Sequence, residues 1–184
     1  MSVRTLRQAV ADAIKAAMPS LKACATHPGR FDAGELARLA TRSPAIFVAV
    51  LGITDQSVQH DEVTGTLTFG AYALAGDSHV ADRDAAALAM VDALALLVPG
   101  NRWGLAESVS NPERVRSENL YSGQVDRIGV SLWAVTWQQR MVIGQTMDAA
   151  ALAALDLFAT CDLQYPISDD APVAEDAVQL PQED

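Results

Sequence analysis

The stretch Pro44-Ala45-Ile46-Phe47-Val48-Ala49-Val50-Leu51-Gly52 decides the fold class. Seven apolar residues run unbroken between a proline and a glycine. The run is too short for a buried helix and lacks the polar alternation of a strand with one wet face. It reads as an interior strand covered on both sides. A second extended segment follows at Thr66 to Ala75, rich in Thr, Phe and Tyr. It places Leu67, Phe69, Ala71 and Ala73 on one face and Thr66, Thr68, Tyr72 and Leu74 on the other. The polar stretch between them, Asp55 to Val63, reads as a loop or hairpin arm.

Helices lie on either side of this pair. Upstream, Leu6, Val10, Ile14 and Met18 recur every four residues, with Ala13, Ala17 and Leu21 widening the stripe. Ser2 is a suitable N-cap and Pro19 a stop. Asp32 and Glu35 fit a capping pair, and Phe31 and Leu36 a hydrophobic staple, so a short helix is expected over Ala33 to Thr41. Downstream, Asp82 opens a helix that Pro99-Gly100 ends near Val98. That helix is apolar nearly all round, Asp92 excepted, which suits deep burial or packing against another subunit.

Two further strands are expected. Arg114 to Tyr121 carries polar residues, with Arg114 and Arg116 alternating on one face. Ile128 to Val142 is the longest, with Val130, Leu132 and Ala134 on one face and Trp133, Val135 and Trp137 on the other. Both faces are apolar at its middle, so both need cover. The order of helices and strands is that of an α+β domain with helices packed on a mixed or antiparallel sheet, over residues 1–144. Residues 145–184 read as an acidic extension. It holds a short Ala-rich helix near Asp148 to Ala154, then an extended segment in which Leu155, Leu157, Leu163 and Tyr165 alternate with more polar positions. From Pro166 an irregular arm is expected.

The charge is unevenly placed. Of a net −10, residues 141–184 hold nine acids and no base, while all 13 Lys and Arg lie before them. A basic footprint for gripping nucleic acid is absent. Met1 to Leu21 carries Asp12 and Lys15 inside its apolar pattern, so no signal peptide is expected. The longest apolar stretch, Ala85 to Val98, is shorter than the roughly 20 residues a bilayer demands. A soluble, intracellular protein without membrane partners is expected. Cys24 and Cys161 lie far apart, which favours two reduced thiols.

Little in the sequence advertises chemistry. His27, His60 and His79 stand alone without a second ligand at helical or hairpin spacing, so no metal is expected. Neither a phosphate-cradling glycine loop nor a nucleophile elbow is present, and no cofactor is expected. The cluster His60-Asp61-Glu62 falls in the predicted loop and suits solvation. Asp82, Arg83 and Asp84 match the ordinary preference of helix starts for acids. Trp133 and Trp137 are either core anchors or interface anchors. Arg114 and Arg116 are either a solvated face or the counterpart of an acidic partner surface, such as a neighbouring subunit's acidic tail. With Leu155, Leu157, Phe158, Leu163 and Tyr165 they form the candidate subunit or partner interface. Residues 155–165 are expected to pair with an adjacent subunit, because a half-buried strand needs a partner.

Several pieces, in order, carry a resemblance. They are the leading amphipathic helix, His27-Pro28-Gly29-Arg30-Phe31-Asp32, Glu35-Leu36, Pro44-Ala45-Ile46-Phe47-Val48 and Thr68-Phe69-Gly70-Ala71-Tyr72. The Ala-rich helix, Arg114-Val115-Arg116-Ser117, Ile128 to Trp137 and the closing Val178-Gln179-Leu180-Pro181-Gln182 follow. Together the chain resembles a family of small proteins encoded in the tail-assembly region of Mu-like prophages, and its element order is similar to that of lambda-like tail terminator proteins. The resemblance implies a virion structural protein and no enzyme. It would form a homo-oligomeric ring, hexameric in expectation, that caps the tail tube, stops its polymerisation and offers a surface for head docking. The implied partners are the tail tube protein and the head–tail connector or neck proteins. DNA would pass through the ring without sequence-specific binding. The implied location is the head-proximal end of the tail, after assembly in the host cytoplasm. A neck or head-completion adaptor is the alternative within the structural class. A small hydrolase, which would need a concave site with convergent polar groups, is the alternative outside it.

Overall fold

The computed structural model describes residues 2–29, 33–76, 82–120, 122–145, 160–165 and 174–179. The chain divides into two compact units, Met1–Thr146 and Met147–Asp184. The first, here called the body, is an α+β domain built on a five-stranded mixed sheet.

Helix α1, Val3–Ala17, begins where Ser2 Oγ accepts the Thr5 N–H at 3.1 Å. It buries Leu6, Val10, Ala11 and Ile14, the face its four-residue apolar spacing predicts. The chain then forms a short strand, β1 (Ala23–Thr26), before helix α2 (Ala33–Ala40). Strand β2 (Ala45–Gln59) and strand β3 (Glu62–Gly76) make a long hairpin. Its two-residue turn, His60-Asp61, has φ of 49° and 63°. Two consecutive left-handed residues give the turn the twist that paired strands favour.

Helix α3, Arg83–Leu97, starts where the Asp82 carboxylate accepts the Asp84 N–H at 3.1 Å. Strand β4 (Glu113–Asn119), the single-turn helix α4 (Gly123–Arg127) and strand β5 (Val130–Gln145) complete the body. The sheet order is β1-β2-β3-β5-β4, with β1 and β2 parallel and every other pair antiparallel.

Both faces of the sheet are covered. On one, α1 and α3 pack over Ile46, Val48, Leu67, Phe69, Ala71, Val135 and Trp137. On the other, α2 and α4 pack over Phe47, Ala49, Tyr72, Leu74, Leu132 and Ala134. The strand at Ala45 to Leu51 is thus interior and double-sided, as its unbroken apolar run implies. The apolar members of the facing sets predicted for Thr66 to Ala75 and for Val130 to Trp137 divide between the two faces as expected.

The structure adds to the expected order in three places. β1 occupies a segment with no expected strand; the Lys22 and His27 N–H groups extend its ladder by donating to Pro44 O and Val48 O at 2.9 and 2.7 Å. α4 is a single turn held by Ser122 Oγ accepting the Val125 N–H at 3.2 Å. In the second unit, β6 (Thr160–Tyr165) and β7 (Ala174–Gln179) form an antiparallel pair. The irregular arm expected beyond Pro166 therefore contains a strand. The extended segment at 160–165 has its pairing partner within the same chain, because Leu163 and Tyr165 stand opposite Asp176 and Ala174. Phe31 and Asp32, the expected staple and cap of α2, lie outside the described residues, as does the Ala-rich segment Asp148 to Ala154.

Candidate functional site

The two tryptophans weighed as interface anchors share the α1/α3 face of β5. Trp137 is a core residue, 1% exposed, stacked on Phe69 with ring centroids 5.3 Å apart and planes 10° from parallel. Its burial leaves no side-chain surface for a partner, and the core-anchor alternative describes it. Trp133 is half-buried against the same core, and its indole N–H finds no acceptor among the described residues.

Beside Trp137 lies a polar group on an otherwise apolar face. Gln139 is 1% exposed. Its Oε1 accepts the indole N–H of Trp103 at 2.7 Å and that of Trp137 at 2.9 Å. Its Nε2 donates to Asn101 O at 3.1 Å and Ser110 O at 2.9 Å. All four hydrogen-bonding sites of the amide are filled, the condition under which a buried polar side chain is tolerated. The cluster pins the connection from Asn101 to Ser110 onto the sheet, with Trp103 packed 5.9 Å from Trp137. Trp103 has φ of 56°, a left-handed conformation anchored by Asn101 Oδ1 accepting its N–H at 2.8 Å.

Arg114 and Arg116 do come together, though not by strand alternation. The β4–β5 register slips between Glu113 opposite Gln138 and Arg116 opposite Thr136, and Arg114 has φ of 52°. This bulge turns both exposed arginines towards one recess, on the α2/α4 side of the sheet. The recess, of about 230 Å³, is also lined by Thr68, Thr136 and Gln138, and Arg114 Nη1 donates to Gln138 Oε1 at 3.0 Å. It shares Thr136 with an adjoining groove of about 380 Å³ lined by Leu51, Tyr72, Glu118, Leu120, Leu132 and Ala134. Leu51 reaches across Gly70 to form part of this floor; a Cβ on Gly70 would sit 3.1 Å from its Cδ1.

A second exposed surface is the outer side of α3. Its inner side buries Ala87, Met90, Val91 and Leu94, while Leu88 and Leu96 face outward at 38% and 85% exposure. Leu155, Leu157 and Phe158 of the expected interface lie outside the described residues.

The remaining polar candidates have structural partners. His27 is buried at the end of β1, its Nε2 3.0 Å from Glu35 Oε1 and its Nδ1 against the Gly29 backbone, and so joins β1 to α2. His60 sits at the exposed hairpin turn, and His79 lies outside the described residues. Arg83 pairs with Asp126 at 2.6 Å, and Asp84 accepts from Ser131 Oγ at 3.3 Å. The Cys24 thiol donates to Ala11 O at 3.3 Å, and burial pushes its pKa up to about 11, which disfavours the thiolate a nucleophile requires. Among the described residues, no three His, Cys, Asp or Glu side chains gather as a metal site would need, and no helix is long and apolar enough to cross a membrane.

Residues 2–142 match the family model described as Bacteriophage Mu, Gp37. The match runs from the N-cap of α1 almost to the end of β5, and the chain belongs to that family, a family of Mu-type phage proteins. No curated protein matches the chain.

Proposed function

We propose that this chain is the tail terminator of a Mu-like phage or prophage, an assembly protein without turnover. Copies of it form a ring, hexameric in expectation, on the head-proximal end of the tail tube. The ring stops tube polymerisation and presents a surface to the connector or neck proteins. The carrying observation is the family match across almost the whole body.

The geometry supports an assembly role. A closed ring of identical subunits needs two different complementary surfaces on each copy, one joining the next copy's other. The outward leucines of α3 and the arginine-flanked groove under β4 lie on different sides of the sheet, so each is open to a separate contact. Association would remove the apolar surface of Leu96 from water. DNA passing through the ring would meet a chain of net −10, and acidic lining would keep it from adhering.

The test is tube growth in vitro. Purified chain added to polymerising tail tube protein of the same phage should arrest elongation and leave a density capping one end of each tube in electron micrographs. Unchanged tube lengths with bare ends would overturn the proposal. Binding only to isolated portal or connector particles would transfer the chain to a neck adaptor role.

A further inference from the structure

The groove under β4 has an apolar floor and a basic end. Leu51, Tyr72 and Leu132 line the floor, Glu118 stands beside them, and Arg114 and Arg116 stand over the adjoining recess. Arg114 holds a left-handed backbone at the bulge that brings both guanidinium groups there. Non-glycine residues keep such conformations where surrounding structure imposes them, commonly at binding sites. Among the described residues, no acid lines the arginine recess itself.

The chemistry that fits is a segment with apolar side chains for the floor and carboxylates for the arginines. Guanidinium groups bind carboxylates through paired N–H donors. The chain carries such a segment in its own sequence. Residues 166–184 contain Asp169, Asp170, Glu175, Asp176, Glu183 and Asp184, no base, and the apolar Val173, Val178 and Leu180. We infer that the groove under β4 docks the acidic C-terminal segment of a second copy of this chain, tying neighbouring subunits together. The inference rests on the assembly reading above, which places identical copies side by side. Each groove then meets a neighbour's segment at high effective concentration, so a modest intrinsic affinity suffices.

The experiment uses full-length chains with a photo-crosslinking benzoylphenylalanine in place of Leu120, at the groove's edge. Isotopically heavy and light chains are mixed and irradiated. Crosslinks from position 120 of one copy to residues 166–184 of the other are expected. They should fall about tenfold in the Arg114→Glu/Arg116→Glu variant, where attraction becomes repulsion, and those of the parent should also fall in about 1 M salt, where the Debye length is about 3 Å. The Arg114→Lys/Arg116→Lys variant, which keeps the charge, should retain them in part. Both arginines are exposed, so circular dichroism of the variants should match the parent. Crosslinks confined to one copy, crosslinks to another region, or yields indifferent to charge reversal would overturn the inference. Tubes capped normally by a chain showing no such crosslink would refute the docking alone. Failure to cap tubes would refute the terminator role whatever the crosslinks show.

Discussion

Replacing Gln139 with leucine should destabilise the body by about 2–5 kcal/mol. The side chain is close to leucine in volume, so the loss is one of hydrogen bonding more than of packing. In the parent, Oε1 satisfies two indole N–H groups, from Trp103 and Trp137, at 2.7 and 2.9 Å inside the core. An unpaired buried donor costs about 1–3 kcal/mol, and here there are two. The carbonyls of Asn101 and Ser110 also lose their donor, but both residues are half-exposed and water can replace it. For a chain of this size, about 2–4 °C of melting temperature is lost per kcal/mol, so the midpoint should fall by about 4–20 °C. Thermal unfolding followed by near-ultraviolet circular dichroism reads this directly, because Trp103 and Trp137 belong to the cluster. A double-mutant cycle with Trp103→Phe should show coupling of about 1 kcal/mol, since the two residues share one bond. A midpoint shift under about 2 °C, or additive single effects, would refute the idea that Gln139 holds the 101–110 connection to the sheet.

Other substitutions probe separate parts of the molecule. Leu96→Glu, at a position 85% exposed, should leave the unfolding midpoint in urea nearly unchanged, within about 0.5 kcal/mol, yet abolish self-association measured by sedimentation; an unaltered assembly would remove α3 from the interface. Asp82→Ala removes the side-chain acceptor at the start of α3 and should cost about 1 kcal/mol in the same unfolding experiment, whereas no loss would show that the cap contributes nothing. Cys24, read in a Cys161→Ser background, should react with iodoacetamide at about pH 8 at least about tenfold more slowly in the native chain than in urea, because its folded thiol resists ionisation; equal rates would contradict its burial. Folding raises this pKa from 9.0 to about 11, so the thiol's contribution to stability is complete below about pH 9 and is lost as pH rises through about 11. Comparing urea midpoints of the Cys161→Ser chain and its Cys24→Ala derivative across that range checks the sign, and a parent that gains stability relative to the derivative would reverse it.

The parts of the fold written in strong periodicity were legible in the sequence. The spacing of Leu6, Val10 and Ile14, the alternation about Phe69 and Val135, and the cap at Asp82 all have their expected places. Elements held mainly by tertiary context were not. β1 is only four residues, Ala23 to Thr26, and its ladder depends on β2 lying alongside. α4 is one turn. β7 has an acidic sequence whose strand character comes from pairing with β6. For the polar stretch Asp55 to Val63 the sequence left a loop and a hairpin arm open, and the pairing of β2 with β3 up to His60 makes it the hairpin arm.

Of the interface residues, the common face of Trp133 and Trp137 was readable, and core anchoring, one of the two alternatives, describes Trp137; its packing against Trp103 was not readable, because it depends on a connection folding over the sheet. One clue to that cluster was present. Gln139 follows Trp133, Val135 and Trp137 at a spacing of two, which puts an amide on an apolar face and calls for buried partners. The convergence of Arg114 and Arg116 was expected from alternation; it arises instead from a bulge, a backbone feature that neither residue signals.

The most direct test of the terminator role is electron microscopy of particles assembled after deletion of the gene for this chain. Headless tails far longer than those of the parent are expected, because tube growth would have lost its stop. Tails of parental length, whether joined to heads or not, would contradict it.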